Sequence, residues 1–188
     1  MKFNMGCGHN KQAGYVNVDA FAACEPDEVF DLEQTPWPWP SDCAEEIMFI
    51  HSLEHMGADA KVFLAIMQEI YRIARDGALV QIHVPHPRHN NFINDPTHVR
   101  IVTPEVLALF DREWNDEWKR VGASNTPFAH YLNVDFALEG VSTILDEPYA
   151  AQFDAGAISQ DELVEALRSR NNVASELQMK LRVRKPAA

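Results

Sequence analysis

Cysteine is scarce in this chain: Cys7, Cys24 and Cys43 are the only three among 188 residues. Their number and spacing fit neither a disulfide framework nor a CxxC metal site, and reduced thiols in a cytoplasmic protein are the simplest reading. Positive charge is also in short supply, with 16 Lys and Arg against 28 Asp and Glu and a formal net charge of -12. That balance argues against a partner held through its phosphates, so no nucleic acid is expected as substrate. The one late basic cluster is Arg168, Arg170, Lys180, Arg182, Arg184 and Lys185. No apolar run approaches the roughly 18 residues of a membrane span, and Met1–Gly6 has no signal-like apolar stretch, so no membrane association is expected. Internal repeats and low-complexity segments are lacking too. What remains, at 46% hydrophobic residues, is the composition of a globular chain, read as a single domain over 1–188.

Apolar runs and helical spacings alternate in the first half. Lys2–Met5, Tyr15–Asp19 and Val29–Leu32 read as short strands, and Ile47–Ile50 as a central strand buried on both faces. Between the last two lies Thr35-Pro36-Trp37-Pro38-Trp39-Pro40, whose prolines forbid a regular element. Val62, Phe63, Ile66, Met67, Ile70 and Ile73 recur at helical spacing, predicting a helix over 59–74 capped by Asp59 and stopped by Gly77. Leu79–Val84 follows as a strand. Strands separated by a helix predict parallel pairing and a doubly wound α/β sheet.

Later, Thr103-Pro104-Glu105 is a cap with proline at the first helical position, opening a helix to about Phe110. A half-covered strand is expected within Leu132–Leu145. Ser159-Gln160-Asp161-Glu162 is a capping box ahead of another helix. Leu177–Arg184 alternates strictly, with Leu177, Met179, Leu181 and Val183 inward. The two late strands predict an antiparallel hairpin closing one sheet edge. Residues 111–131 and 146–158 are expected to be irregular.

Gly6-Cys7-Gly8 leaves the first strand where a ligand can approach the backbone closely, although a glycine pair there also serves as an ordinary tight turn. Asp19 ends the second strand, suited to accept hydrogen bonds from two ribose hydroxyls, and Asp31-Leu32 ends the third. In open α/β sheets ligands lie beyond the carboxyl ends of the strands, and three such ends here carry ligand chemistry.

Asn4-Met5-Gly6-Cys7-Gly8, Gly14-Tyr15-Val16-Asn17-Val18-Asp19, Asp31-Leu32, Pro36-Trp37-Pro38, Ser52-Leu53-Glu54-His55 and Ala74-Arg75-Asp76-Gly77 occur in that order. Over about residues 2–110 the chain resembles the class I, Rossmann-like methyltransferases, in particular a small group with a short first loop and an LEH signature. The resemblance implies a seven-stranded, mostly parallel sheet with one reversed strand near its C-terminal edge, and methyl transfer from S-adenosylmethionine. It also implies a cofactor site of Asn4, Gly6, Cys7, Gly8, Asp19, Asp31, Leu32 and His51. Gly6 and Gly8 would lie against the methionine part and ribose, Asp31 and Leu32 against adenine, and His51 beside the methionine moiety.

Three departures stand out. Asn4 occupies a position that is often acidic, and Asn10 stands where a third glycine is usual. Ten residues separate Gly8 from Asp19, so the usual first helix must be short or absent. The lid helices that many relatives carry before the first strand have no counterpart in the sequence, so a later segment or a partner is expected to cover the site.

The segment 83–100 is rich in histidine. His83, His86 and His89, with Asp95 and His98 nearby, are acceptable ligands for zinc or iron. Pro85 and Pro87, however, hold the stretch extended and throw the side chains apart, so no resident metal is expected. The segment instead leaves the fifth strand on the cofactor side, where Asp95-Pro96-Thr97-His98-Val99-Arg100 resembles an acceptor segment of the same group. His98, His55 and Asp95 are the candidate catalytic residues, with His98 able to orient or deprotonate an acceptor hydroxyl. Trp37 and His86 are the candidate acceptor contacts. Asp95 and Arg100 can equally serve as a loop-fixing ion pair, and His55 as a helix-start contact. Most other aromatics, Trp39, Trp114, Trp118, Phe92, Phe110 and Phe128, read as core or loop anchors.

The expected acceptor is a small molecule, a sugar or other metabolite, and a homodimer is compatible with the sequence. Two other readings stay open. One is a nicotinamide-dependent oxidoreductase, against which Lys11 stands where GxGxxG needs glycine and Asp19 comes too early. The other is a cofactor-binding module of the same fold without catalytic activity.

Overall fold

The computed structural model describes residues 1–186. Seven strands form one sheet: β1 (Lys2–Met5), β2 (Val16–Asp19), β3 (Glu28–Val29), β4 (Ala44–Ile50), β5 (Ala74–Pro85), β6 (Phe136–Leu145) and β7 (Ala174–Val183). Their order is β3-β2-β1-β4-β5-β7-β6. The pairs among β1 to β5 are parallel, and β7 runs antiparallel to both β5 and β6. This is the expected α/β sheet with an antiparallel C-terminal pair. In β7 the period-two pattern holds: Leu177, Met179, Leu181 and Val183 are buried while Lys180 is exposed.

The helices are α1 (Ala60–Ile73), α2 (Asn90–Ile93), α3 (Pro104–Ala108), α4 (Arg112–Val121), α5 (Phe128–Leu132), α6 (Tyr149–Asp154) and α7 (Gln160–Ser169). α1 follows its apolar spacing. Phe63, Ile66, Met67, Ile70 and Ile73 are buried, and the Asp59 carboxylate accepts the Lys61 N–H at 2.8 Å. The helix does not need Gly77 to stop it, because Ala74 is already extended and opens β5. Gly77 falls instead where the β4–β5 register shifts between Ala44 and Glu46. Thr103 caps α3 through the Val106 N–H, and Ser159 and Glu162 form the expected box on α7.

Two segments expected to be irregular are helical: 111–131 holds α4 and α5, and 146–158 holds α6. α4 (REWNDEWKRV) carries Trp114, Trp118 and Val121 at helical spacing, but Trp114 and Val121 are exposed, so its order comes largely from caps and polar partners. Asp111 caps it through the Glu113 N–H, and Gly122 closes it in left-handed conformation. Buried Asn115 donates to the Leu109 carbonyl and accepts the Ala129 N–H at 3.1 Å, joining α4 to α5. The third strand is shorter than expected. It ends at Val29, and Asp31-Leu32 lie in the turn beyond it. Leu132 belongs to α5, so the late strand starts at Phe136.

Helices α1 and α3 pack with Phe3, Ile47, Phe49, Val80, Ile82, Met179 and Leu181 in one core. The β3–β4 crossover contributes two indoles to it rather than a helix. Trp39 lies 4.9 Å from the Phe3 ring and 5.8 Å from Trp37. Each buried indole removes about 150–250 Å² from water, about 4–6 kcal/mol at 25 cal/mol per Å². A charged clamp from α1 fixes this loop. Glu69 accepts the Trp37 N–H at 2.6 Å, and Arg72 donates to the Trp39 and Trp37 carbonyls at 2.8 and 3.0 Å while pairing with Glu69 at 2.7 Å. Burial pushes the Glu69 carboxyl up, but Arg72 and the Trp37 N–H outweigh it and leave the group below its ordinary value.

The β1–β2 and β2–β3 crossovers hold no α-helix, only a 3-10 turn at Ala22–Cys24. The strand residues alternating away from the core are accordingly polar. Glu46 pairs with Lys2 at 2.8 Å and accepts from Gln81 at 2.6 Å across neighbouring strands.

Candidate active site

The loop after β1 folds back over β2, with the Gly6 and Cys7 N–H groups both donating to the Val18 carbonyl at 2.8 and 2.9 Å. Gly6 has φ of +68°, and a Cβ there would stand 2.5 Å from the Ser52 Cβ. Only glycine satisfies both conditions. Gly8, at φ of +49°, has nothing within 4 Å of where its Cβ would be, so bare backbone faces open space. Asp19 holds the loop from the end of β2. One carboxylate oxygen accepts the Gly8 N–H and the other the Phe21 N–H, each at 2.8 Å. Ser52 donates to the Met5 carbonyl at 2.7 Å and ties the end of β4 to the end of β1.

A cavity of about 400 Å³ lies beyond these strand ends, within the usual range for small-molecule sites. Gly6, Gly8, Asp19, Asp31, Leu32 and His51 all line it, as does His55 on the far wall. Asn4 and Cys7 do not. Asn4 is 2% exposed and donates to the Asn17 side chain at 2.9 Å and the Asn10 carbonyl at 3.0 Å. Asn17 in turn accepts the Gln12 N–H at 2.7 Å. Asp27 accepts both the Asn17 backbone and side-chain N–H groups, at 2.9 and 2.7 Å. These bonds, helped by Lys11, hold the Asp27 carboxyl down at about 2. An amide network thus orders the stretch where a first helix would otherwise stand. Cys7 is buried beneath the loop, and burial, with Asp19, pushes its thiol up.

The far wall is built from two motifs distant in sequence. Leu53-Glu54-His55 forms a 3-10 turn after β4, with Leu53 and Glu54 buried and His55 exposed. The Val99 and Arg100 N–H groups both donate to the Glu54 carbonyl, at 2.9 and 3.0 Å, stitching the segment 95–100 onto that turn. Arg100 directs its guanidinium to the Gly57 carbonyl and over the Phe63 ring. Glu33 accepts the Gly57 N–H at 2.6 Å from the loop after β3.

The histidines there have assigned tautomers. Thr97 donates its hydroxyl hydrogen to Asp95 at 2.6 Å, so at the 2.9 Å contact with His55 its oxygen accepts the Nδ1 hydrogen. His98 donates Nδ1–H to the Phe92 carbonyl at 3.0 Å, and its Nε2 stands 4.0 Å from Glu54 Oε1 and 3.8 Å from Asp95 Oδ2. The two rings meet edge to face at 4.5 Å. Glu54 is fully buried, and neither of its carboxylate oxygens has a hydrogen-bond partner.

His51, with φ of +52°, contacts Glu176 at 2.7 Å and faces Glu54 at 3.8 Å. Glu54 foremost, and Glu176 with it, raise its imidazole above the ordinary value against burial.

The histidine run disperses. His83 faces Glu176 at 3.6 Å, and His89 pairs with Asp146 at 2.8 Å. His86 accepts the Arg88 N–H at 3.2 Å, away from the cavity. Trp37, expected as an acceptor contact, is a core residue at 3% exposure, its indole N–H donating to the Leu32 carbonyl at 2.9 Å. Two participants escaped sequence reasoning. Glu54 belongs to the LEH signature, and its burial carries no local signal. Glu176 comes from the antiparallel strand, and only the topology brings it to His51.

No family model matches the chain, and no curated protein matches it in sequence. Solved structures do match in fold. A SAM-dependent methyltransferase from Archaeoglobus fulgidus superposes with a TM-score of 0.64 at 19% identity, over 96% of this chain and 84% of that one. A SAM-dependent methyltransferase from Thermotoga maritima, described as a possible histamine N-methyltransferase, gives 0.53 at 11% identity over 98% and 82%. The [4+2]-cyclase SpnF gives 0.53 at 12% identity over 99% and 75%. The fold is that of the class I methyltransferases.

Proposed function

We propose that the chain is an S-adenosylmethionine-dependent methyltransferase acting on a small-molecule acceptor, a sugar or other metabolite. The observation that carries this reading is the convergence of Gly6, Gly8, Asp19, Asp31, Leu32 and His51 in one cavity beyond the strand ends. The donor set fits the cofactor. Bare backbone at Gly8 admits close approach, and each Asp19 oxygen keeps a lone pair free for a ribose hydroxyl. Asp31 and buried Leu32 supply a polar and an apolar contact for adenine. Asn4 and Cys7 support the loop from below. The reversed strand β7 weighs against a nicotinamide enzyme, whose doubly wound sheet carries strand order 3-2-1-4-5-6.

The bound cofactor supplies a methyl group activated by its sulfonium. The chain's own task is to align the acceptor in line and exclude water. Of the candidate catalytic residues His55, Asp95 and His98, His55 lines the cavity, with Nδ1 committed to Thr97 and Nε2 left to accept from an acceptor hydroxyl. Asp95 acts through Thr97 as a positioning residue, and His98 backs the His55 ring. The three free cysteines agree with a cytoplasmic setting, and among the described residues no helix is long and apolar enough to cross a membrane.

Calorimetry with S-adenosylmethionine and with NAD tests the reading. Binding of the first alone is expected, and binding of NAD alone overturns it. A product screen by mass spectrometry over hydroxylated metabolites then separates an enzyme from a module that binds the cofactor without turning over.

A further inference from the structure

Glu54 poses a problem that the methyl-transfer reading does not solve. Its side chain is 1% exposed and both oxygens lack a hydrogen-bond donor; the Arg100 guanidinium donates through one terminal nitrogen to the Gly57 carbonyl and lies over the Phe63 ring, and its buried Nε, also without a partner, makes no ion pair with Glu54. A buried carboxylate left so is costly, and such groups are normally paired or bound to a metal. The groups that do face it are imidazoles: His51 Nδ1 at 3.8 Å and His98 Nε2 at 4.0 Å. Among the described residues, Glu54, His55 and His98 each offer one ligand atom, and these lie within 4.8 Å of one another.

We propose that Glu54, His55 and His98 bind one divalent first-row transition-metal ion. The donor set is two imidazoles and one carboxylate, which suits zinc or ferrous iron and leaves positions open to an exogenous oxygen. The surroundings have the form such sites need. A metal-ligating histidine presents one nitrogen while the other donates to a fixed oxygen. Both histidines do so here, His98 to the Phe92 carbonyl and His55 to the Thr97 hydroxyl, itself held by Asp95. Asp95 spends Oδ1 on Thr97 and turns Oδ2 toward His98 Nε2 at 3.8 Å. Ligands about 2.1 Å from a tetrahedral ion stand about 3.5 Å apart, so His98 Nε2 and Glu54 Oε1, now 4.0 Å apart, need to close by about half an ångström, and His55, whose ligand atom lies within 4.8 Å of both, by up to about 1.3 Å through rotation of its exposed side chain. The main-chain bonds from Val99 and Arg100 to the Glu54 carbonyl fix the two ligand segments together. The ion would reside at the edge of the cofactor cavity, since His55 lines it.

Of the histidines in the 83–100 segment, only His98 belongs to this site, and His83, His86 and His89 lie apart from it. With the ion in place, His55 Nε2 is a ligand rather than a proton acceptor, and an acceptor hydroxyl meets the metal instead. The inference is independent of cofactor identity: failure to bind S-adenosylmethionine overturns the proposed function and leaves the ion titration untouched.

The test is titration of chelator-treated, tag-free protein with Zn²⁺ by calorimetry and with Co²⁺ by visible absorption. Saturation at one ion per chain is expected, with the d–d band intensity of a low-symmetry nitrogen and oxygen site. Glu54→Gln, His98→Ala and His55→Ala are each expected to weaken binding at least about tenfold, the lower bound for disturbing even the outer shell of a metal site. His130→Ala, which removes an exposed histidine paired with Asp116, should leave it unchanged. His55 is exposed, so its variant keeps the test valid if the buried variants fail to fold. Sub-stoichiometric binding, or equal affinity in wild type and the His55 variant, overturns the proposal and assigns Glu54 to neutralisation by imidazolium.

Discussion

Replacing Asp19 by alanine separates the two tasks that its carboxylate performs. In the free protein it accepts the Gly8 and Phe21 N–H groups, both at 2.8 Å. Both are close to solvent, so losing these bonds costs about 1 kcal/mol each. In the complex the same oxygens would also take two ribose hydroxyls. A hydrogen bond to a charged acceptor contributes about 1.5–3 kcal/mol, so two amount to about 3–6 kcal/mol, or about 10²- to 10⁴-fold in Kd. Calorimetry with S-adenosylmethionine on wild type, Asp19→Ala and Asp19→Asn reads this directly. Asparagine keeps one acceptor and loses the charge, so it should fall between the other two. Urea unfolding of the same proteins reports the loop contribution separately, about 2 kcal/mol at most. An alanine variant that folds normally and binds with unchanged affinity would remove Asp19 from the site and refute the geometric case for the cofactor.

Gly8→Ala and Gly6→Ala are expected to part ways. The first adds a methyl to open space at a positive φ and should fold with a loss of about 1–2 kcal/mol while blocking the cofactor. The second collides with Ser52 and should lose more stability, and equal thermal midpoints for the two would contradict the loop geometry. Glu69→Ala leaves the buried Trp37 N–H unpaired and takes the carboxylate from the partly exposed Arg72, and losing these charge-assisted bonds should cost about 1.5–3 kcal/mol in urea unfolding; a loss below about 1 kcal/mol would show that the β3–β4 loop does not need its clamp. Asp27 is held down at about 2, so its contribution is complete above its unfolded value and disappears as pH falls through about 2. A carboxyl NMR titration should find that midpoint, and Asp27→Asn should flatten the stability profile between about pH 4 and 2; a midpoint near 3.8 would argue against the Asn17 network.

The parts of the fold carried by local pattern were legible. The α1 spacing, the Ser159 box and the β7 alternation each express a periodicity that the core then uses. α4 was less legible: Trp114, Trp118 and Val121 stand at helical spacing, but the stripe is short and Trp114 and Val121 stay exposed, while caps and Asn115 hold the helix. The side of the cavity proposed for the cofactor could be read from glycines and from acids at or just beyond strand ends, residue types whose chemistry is tied to position. The acceptor side could be read only in outline. His55 and Asp95 do meet through Thr97, but Trp37 moved to the core because its crossover has no helix to fill that space. The burial of Glu54 depends on Val99 and Arg100 closing over it, a contact between segments more than forty residues apart.

That same crossover gives the molecule an optical reporter. Trp37 and Trp39 are sealed in the interior, whereas Trp114 is half exposed beside Trp118 on α4. The chain therefore emits from two environments, one dry and one wet. The dry pair is joined to the cavity wall, since the Trp37 indole holds the carbonyl of Leu32. A ligand settling against Leu32 is expected to perturb the emission of the buried pair more than that of Trp114, which offers a way to follow occupancy of the site in the unlabelled protein.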